Sequence, residues 1–220
     1  MSAASRPIAS TQTAQMDIFN EQATTMLQSG KAANAFDLTK EPDKVRERYG
    51  RHSWGQSHLL ARRLVESGTR FVTTVNGPSI TWDTHKDNFN GLKNRLVPPM
   101  EQAYSALLDD LEERGLLEST LVVLCSEFGR GPKLNSNGGR DHHPKVFSTL
   151  LAGGGIKGGY IHGASDKEGM AVADKQTSPQ DFLSTIGWSL GLPIDEVVMS
   201  PSNRPFTVGD KGKAVMELFA

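Results

Sequence analysis

Apolar positions recur at helical spacing along much of the chain, and short apolar runs bounded by glycine separate them. Met16, Phe19, Ala23, Met26 and Leu27 predict an amphipathic helix over residues 16–27. Pro42 opens a short helix that runs through Tyr49, since proline is tolerated in a first turn. In GQSHLLARRLVESG the expected buried stripe is Leu60, Ala61, Leu64 and Val65, and Gly68 supplies a left-handed stop. Residues 71–75 (FVTTV) follow as a β-branched and aromatic strand.

The alternation then repeats. Residues 88–114 read as helical, with Pro98 and Pro99 beginning the main helix and Met100, Ala103, Leu107, Leu108 and Leu111 on its inner face. Gly115 ends that helix, and TLVVLC (120–125) is an apolar run of the kind a covered central strand shows. A third strand is expected over 146–152, closed by the tight turn Gly153-Gly154-Gly155. Ser178-Pro179-Gln180-Asp181 has the form of a helix start with a capping box, followed by Phe182, Ile186 and Leu190 on the inner face and Gly191 as the stop. Alternating helices and strands predict an α/β protein with a mostly parallel central sheet flanked by helices. Residues 1–15, rich in Ser, Ala, Thr and Gln, are expected to be poorly ordered, and 16–220 to form one domain.

Composition removes several function classes. The 24 Lys and Arg nearly balance the 25 Asp and Glu, so no general attraction to nucleic acid or an anionic membrane is expected. No stretch reaches the roughly 20 apolar residues of a membrane helix, and the first residues lack the apolar core of an export signal. Cys125 is the single cysteine, which excludes an internal disulfide and a multi-cysteine zinc site; within LVVLC it reads as a buried structural thiol.

Three polar clusters stand beside the predicted strands, where open α/β sheets place their sites. Trp82-Asp83-Thr84-His85 offers one hard oxygen and one imidazole nitrogen, a mixture that zinc and similar ions accept; an ordinary polar loop is the alternative. In Ser126-Glu127-Phe128-Gly129-Arg130, Glu127 is either a ligand beside an anion-holding Arg130 or that arginine's structural ion-pair partner. In Gly138-Gly139-Arg140-Asp141-His142-His143-Pro144, adjacent histidines point different ways, so one of them at most is a direct ligand, while Arg140 and Lys145 make the field positive. A carboxylate–imidazole set with cations beside it suits metal-assisted hydrolysis of an anionic ester.

From about Phe36 onward the chain resembles the domain of unknown function 1501 family. The stretches that carry the resemblance are FDLTKEPDKVRERYG, GQSHLLARRLVESGTRFVT, WDTHKDN, LLDDLEERGLLESTLVVLCSEFGR, GGRDHHPKVFSTLLAGGGIKGG and GASDKEG. The resemblance implies an alkaline-phosphatase and sulfatase type fold, with a two-metal site at the ends of a large sheet. It implies that Asp83 and His85 belong to one metal site, with His142 or His143 as its downstream histidine and Asp141 beside them. Glu127 stands where that superfamily has the Asp of an Asp-His pair, and Phe128 replaces the histidine. The chain then corresponds to a C-terminal part of such a protein, its sheet incomplete and its nucleophile lying outside these residues.

The expected function is therefore that of the metal-holding portion of a hydrolase of phosphate or sulfate esters, with Arg130 or Arg140 clamping a small anionic substrate. The expected ion is zinc, with manganese or calcium as alternatives. A non-catalytic metal- or anion-binding protein, or an inactive remnant, is the competing expectation. Self-association or pairing with a separate N-terminal chain is expected from an incomplete sheet. An exported location is implied by the resemblance alone.

Overall fold

The computed structural model describes residues 30–78 and 80–220, together with Glu21, Thr24 and Thr25. Met16, Phe19, Ala23, Met26 and Leu27, which carry the expected first helix, and the N-terminal segment before them lie outside the described residues.

The first part of the fold is helical. Of helices α1 (Lys31–Phe36), α2 (Asp43–Tyr49), α3 (Ser53–Glu66), α4 (Asn88–Gly91) and α5 (Val97–Glu113), α3 and α5 form the long packed pair, with α1 against α3 and α2 against both. Between α4 and α5, Leu92–Leu96 form a wider π-type turn. That insertion sits directly before Pro98 and Pro99, which occupy the first turn of α5 as expected. Tyr49, Leu59, Ala106, Leu107 and Leu111 make the core, with Leu38, Val45, Leu116, Leu117 and Val122 against it.

The buried face of α3 is turned relative to the expected stripe. His58, Leu59, Ala61 and Arg62 are buried, whereas Leu60, Leu64 and Val65 are only half-buried. The cause is an ionic network that draws Arg62 inward. Its Nε donates to Asp110 Oδ2 at 2.8 Å, its Nη1 to Glu66 Oε2 at 2.7 Å, and its Nη2 lies 2.9 Å from Glu41 Oε2. Tyr49 and Arg114 donate to the same Asp110 carboxylate, at 2.9 and 2.8 Å. Burial of the Tyr49 hydroxyl and the neighbouring Asp110 charge both raise its pKa.

The remainder is mixed α/β, but its strands do not form a mostly parallel central sheet. Four two-stranded antiparallel sheets take its place: β1 (Val122–Leu124) with β4 (Leu150–Ala152), β2 (Gly129–Arg130) with β3 (His142–His143), β5 (Ala164–Ser165) with β6 (Val172–Asp174), and β7 (Val198–Met199) with β8 (Pro205–Phe206). Residues 71–75, expected as a strand, have no ladder partner among the described residues, and Phe71 and Val75 stay exposed. Of 146–152 only the last three residues pair. Apolar runs specify that a segment is able to pair; they do not specify direction, which depends on partners far away in sequence.

Cys125, expected inside a covered strand, is exposed: it lies one residue beyond the end of β1, whose own residues are only half-buried. Helix α6 (Pro179–Ser189) begins with the anticipated capping box: Ser178 Oγ accepts from Asp181 N at 3.1 Å, and Asp181 Oδ2 accepts from Ser178 N at 3.1 Å. Its fully buried face is nevertheless Ser184, Thr185 and Gly187, with Phe182, Ile186 and Leu190 half-buried. At Gly209 and Gly212 the chain comes so close to α6 that a Cβ would fall 2.1 Å from Ser184 Oγ and from the Gln180 carbonyl. No helix among the described residues is long and apolar enough to cross a membrane.

Candidate metal centre

Two loops build the site. The first, 76–87, is anchored to α3 by Trp82, whose ring stacks on Trp54 at 5.7 Å between centroids and whose Nε1 donates to Asn76 O at 2.7 Å. Beyond it Thr84 N donates to Trp82 O and His85 N to Asp83 O, each at 3.0 Å. These consecutive three-residue turns place Asp83 and His85 on one side of the chain while Thr84 is buried on the other.

The second loop, 131–141, lies along the first. Arg140 N donates to Thr84 O at 3.0 Å, Asn88 N to Gly138 O at 2.9 Å and Asp87 N to Asn137 O at 3.1 Å. Gly139 makes the approach possible: a Cβ there would fall 1.9 Å from the His85 carbonyl carbon. Asn135 ties the turn together, its Oδ1 accepting from Asn137 N at 2.9 Å and Gly139 N at 3.0 Å.

The result is a triangle of three donor atoms. Asp83 Oδ1 lies 3.1 Å from His85 Nε2 and 2.9 Å from His142 Nε2, and the two imidazole nitrogens are 3.1 Å apart. His85 is half-buried; Asp83 and His142 are exposed. Phe128 packs against the His142 ring at 4.4 Å between centroids. Arg130 Nη1 donates to Asp83 Oδ1 at 2.5 Å. The hydrogen bond with His142, followed by that from Arg130, lowers the Asp83 pKa to about 2.

The donor set fits a divalent ion. Zinc held at about 2.0–2.1 Å from each donor keeps tetrahedral donors about 3.3 Å apart, only a few tenths of an ångström more than the edges here. Two imidazoles and one carboxylate suit zinc or manganese better than calcium, which takes oxygen ligands.

The other residues singled out in the sequence fall around the triangle. Asp141 Oδ1 lies 2.9 Å from His85 Nδ1, the outer ring nitrogen, and also accepts from Asn135 Nδ2 at 3.0 Å. The Asn135 hydrogen bond first, then that of His85, lowers the Asp141 pKa. His143, adjacent to His142 on β3, points away and lies 3.1 Å through Nε2 from Met170 O. Glu127 is exposed and outside the triangle, with its Oε1 3.7 Å from Arg130 Nη2. Arg140 is committed elsewhere, its Nη1 donating to Gly131 O at 2.6 Å and its guanidinium lying over Phe89.

Asn135 and Trp54, which the sequence did not single out, also matter, as do two contacts it did not foretell, of Phe128 with His142 and of Trp82 with Trp54. For Asn135 a signal was present, since NSNGG is a strong turn sequence. No curated protein and no solved structure matches the chain significantly. Residues 2–219 match the model of the family described as Protein of unknown function (DUF1501), and the chain belongs to that family.

Proposed function

We propose that Asp83, His85 and His142 hold a divalent metal ion, zinc by preference, and that this site serves hydrolysis of a small anionic ester. The observation that carries the reading is the convergence of three ligand-type atoms from two distant loops at spacings close to those of a tetrahedral site. A bound ion would supply Lewis-acid stabilisation of the charge that builds on a phosphoryl or sulfuryl oxygen. The chain's own residues do the rest. Asp83 and the two imidazoles would hold the ion, and Arg130, here paired with Asp83, would be the group beside them that takes an anionic oxygen. The resemblance to alkaline phosphatases and sulfatases supports phosphate or sulfate esters as the substrate class. On that reading the chain is the C-terminal, metal-holding portion, with the attacking group supplied from outside these residues. The open edges of β1 and β4, with Phe147 and Leu150 exposed near them, support self-association or pairing with another chain.

One observation favours a second, non-catalytic reading. Arg130 already neutralises Asp83, so the cluster is self-consistent as an ion pair flanked by histidines, able to bind a metal or an anion without turnover. Calorimetric titration of chelator-treated protein with zinc, followed by assay against aryl phosphate and aryl sulfate esters, separates the readings. Metal-dependent turnover supports the hydrolase; tight zinc binding without turnover supports the binding protein; no zinc binding removes the site.

A further inference from the structure

We propose that Asp141 is a positioning residue rather than a metal ligand, and that with Asn135 behind it, it holds His85 with the proton on Nδ1 and the Nε2 lone pair facing Asp83 and His142. This rests on the metal-site reading for its consequence, though not for its geometry.

An ionised carboxylate accepts hydrogen bonds and donates none. Asp141 Oδ1 lies 2.9 Å from His85 Nδ1, so that nitrogen must carry the proton. In a neutral imidazole the other nitrogen is then an acceptor: His85 Nε2 is in hydrogen-bond contact with His142 Nε2 at 3.1 Å, whereas Asp83 Oδ1, though also 3.1 Å away, makes no hydrogen bond to it and is taken by Arg130 and His142. A carboxylate on the outer nitrogen fixes the tautomer and raises the basicity of the inner one, as outer partners of metal-bound histidines do.

Asn135 holds this arrangement from behind. Its Nδ2 donates both to Asp141 Oδ1 at 3.0 Å and to the His85 carbonyl at 3.1 Å, while its Oδ1 accepts two backbone N–H groups. Reversing the amide would set its oxygen against a carboxylate and a carbonyl and its NH2 against two donors, so its orientation is determined by its surroundings. One side chain thus ties the His85 backbone, the carboxylate on its ring and the turn at 135–139 into a unit. Asp141 is itself exposed, and nothing in the hydrophobic core depends on it.

The test uses the whole chain labelled with ¹⁵N-histidine. Long-range ¹H–¹⁵N spectra of metal-free protein at about pH 8, where free imidazole is neutral, read the tautomer directly; His85→Gln assigns the signal. The expected result is an Nδ1–H tautomer for His85 in the wild type, shifting to predominantly Nε2–H in Asp141→Ala. Calorimetry should then give zinc affinity about 10–100-fold weaker in Asp141→Ala and in Asn135→Ala. Thermal melting of the metal-free variants should stay close to wild type for Asp141→Ala. An Nε2–H tautomer in the wild type overturns the proposal. So does an unchanged Nδ1–H tautomer in Asp141→Ala accompanied by complete loss of zinc, which would make Asp141 a direct ligand. If the wild type binds no zinc, the metal reading fails while the tautomer measurement still decides what Asp141 does.

Discussion

Arg62 Nε and Asp110 Oδ2 meet at 2.8 Å between helices α3 and α5, with both side chains almost wholly excluded from solvent. Such a pair is costly to desolvate and costlier to break, because the surviving partner is left charged and buried. Asp110→Ala leaves Arg62 its contacts with Glu66 and Glu41 but removes the buried acceptor shared by its Nε, Tyr49 and Arg114. The expected loss is about 3–5 kcal/mol, read from urea unfolding. Glu113→Ala, which breaks the partly exposed pair with Arg48, should cost under about 1 kcal/mol. Equal losses in the two variants would contradict the central place given to Asp110.

The same carboxylate gives stability a pH dependence with a definite sign. Burial by itself would raise the Asp110 pKa, but hydrogen bonds from Arg114 and Tyr49 and the Arg62 charge outweigh it, so the folded value is lowered. Glu41 is lowered too: burial opposes, and Arg63 and Arg62 prevail. A lowered folded pKa contributes stability that is complete above the unfolded value and is lost as pH falls through the folded one. The urea midpoint should therefore hold steady down to about pH 5 and fall below about pH 4. Asp110→Asn should flatten part of that fall; an unchanged profile would assign the acid sensitivity to other groups.

Gly139→Ala tests whether the two loops must touch for the site to form. The added methyl would overlap the His85 carbonyl carbon, so the loop at 135–141 has to lift away. Overpacking of this kind costs about 1–3 kcal/mol. Hydrogen exchange at the Arg140 amide, which donates to Thr84 O, should accelerate, and zinc affinity should fall with it. Full zinc affinity in this variant would mean that the site does not need the close approach.

Ser178→Ala provides the complementary case. It removes one half of the capping box of α6 and should cost about 1 kcal/mol of stability. The capping residues take no part in the triangle, so zinc affinity should be unchanged; a drop would reveal coupling between α6 and the loops that the described contacts do not contain.

How much of this was readable in advance follows from the range of the interactions. The start of α6 was legible because Ser178, Pro179 and Asp181 act on one another within a single turn. The proline start of α5 and its stop at Gly115 were legible for the same reason. Asp83, His85 and His142 were legible as types of residue, and the structure brings those three together. The burial of Arg62, with its partner Asp110 48 residues away, could not be read, because the pattern of α3 taken alone favours turning Leu60 and Leu64 inward. The direction of strand pairing was equally hidden, since VVL and LLA suit a parallel or an antiparallel ladder alike. Asp141 shows the limit most clearly: its presence beside two histidines reads as ligation, whereas its place on the outer nitrogen of His85 is a matter of distance that no sequence pattern carries.

The most direct measurement of the metal site is the metal content of chelator-treated, zinc-reconstituted protein, determined by elemental mass spectrometry for wild type, Asp83→Ala, His142→Ala and Glu127→Gln. The triangle predicts near-stoichiometric zinc in the wild type and in Glu127→Gln, and loss of most of it in the other two variants. Zinc retained in both Asp83→Ala and His142→Ala, or absent from the wild type, would contradict a site built from these residues.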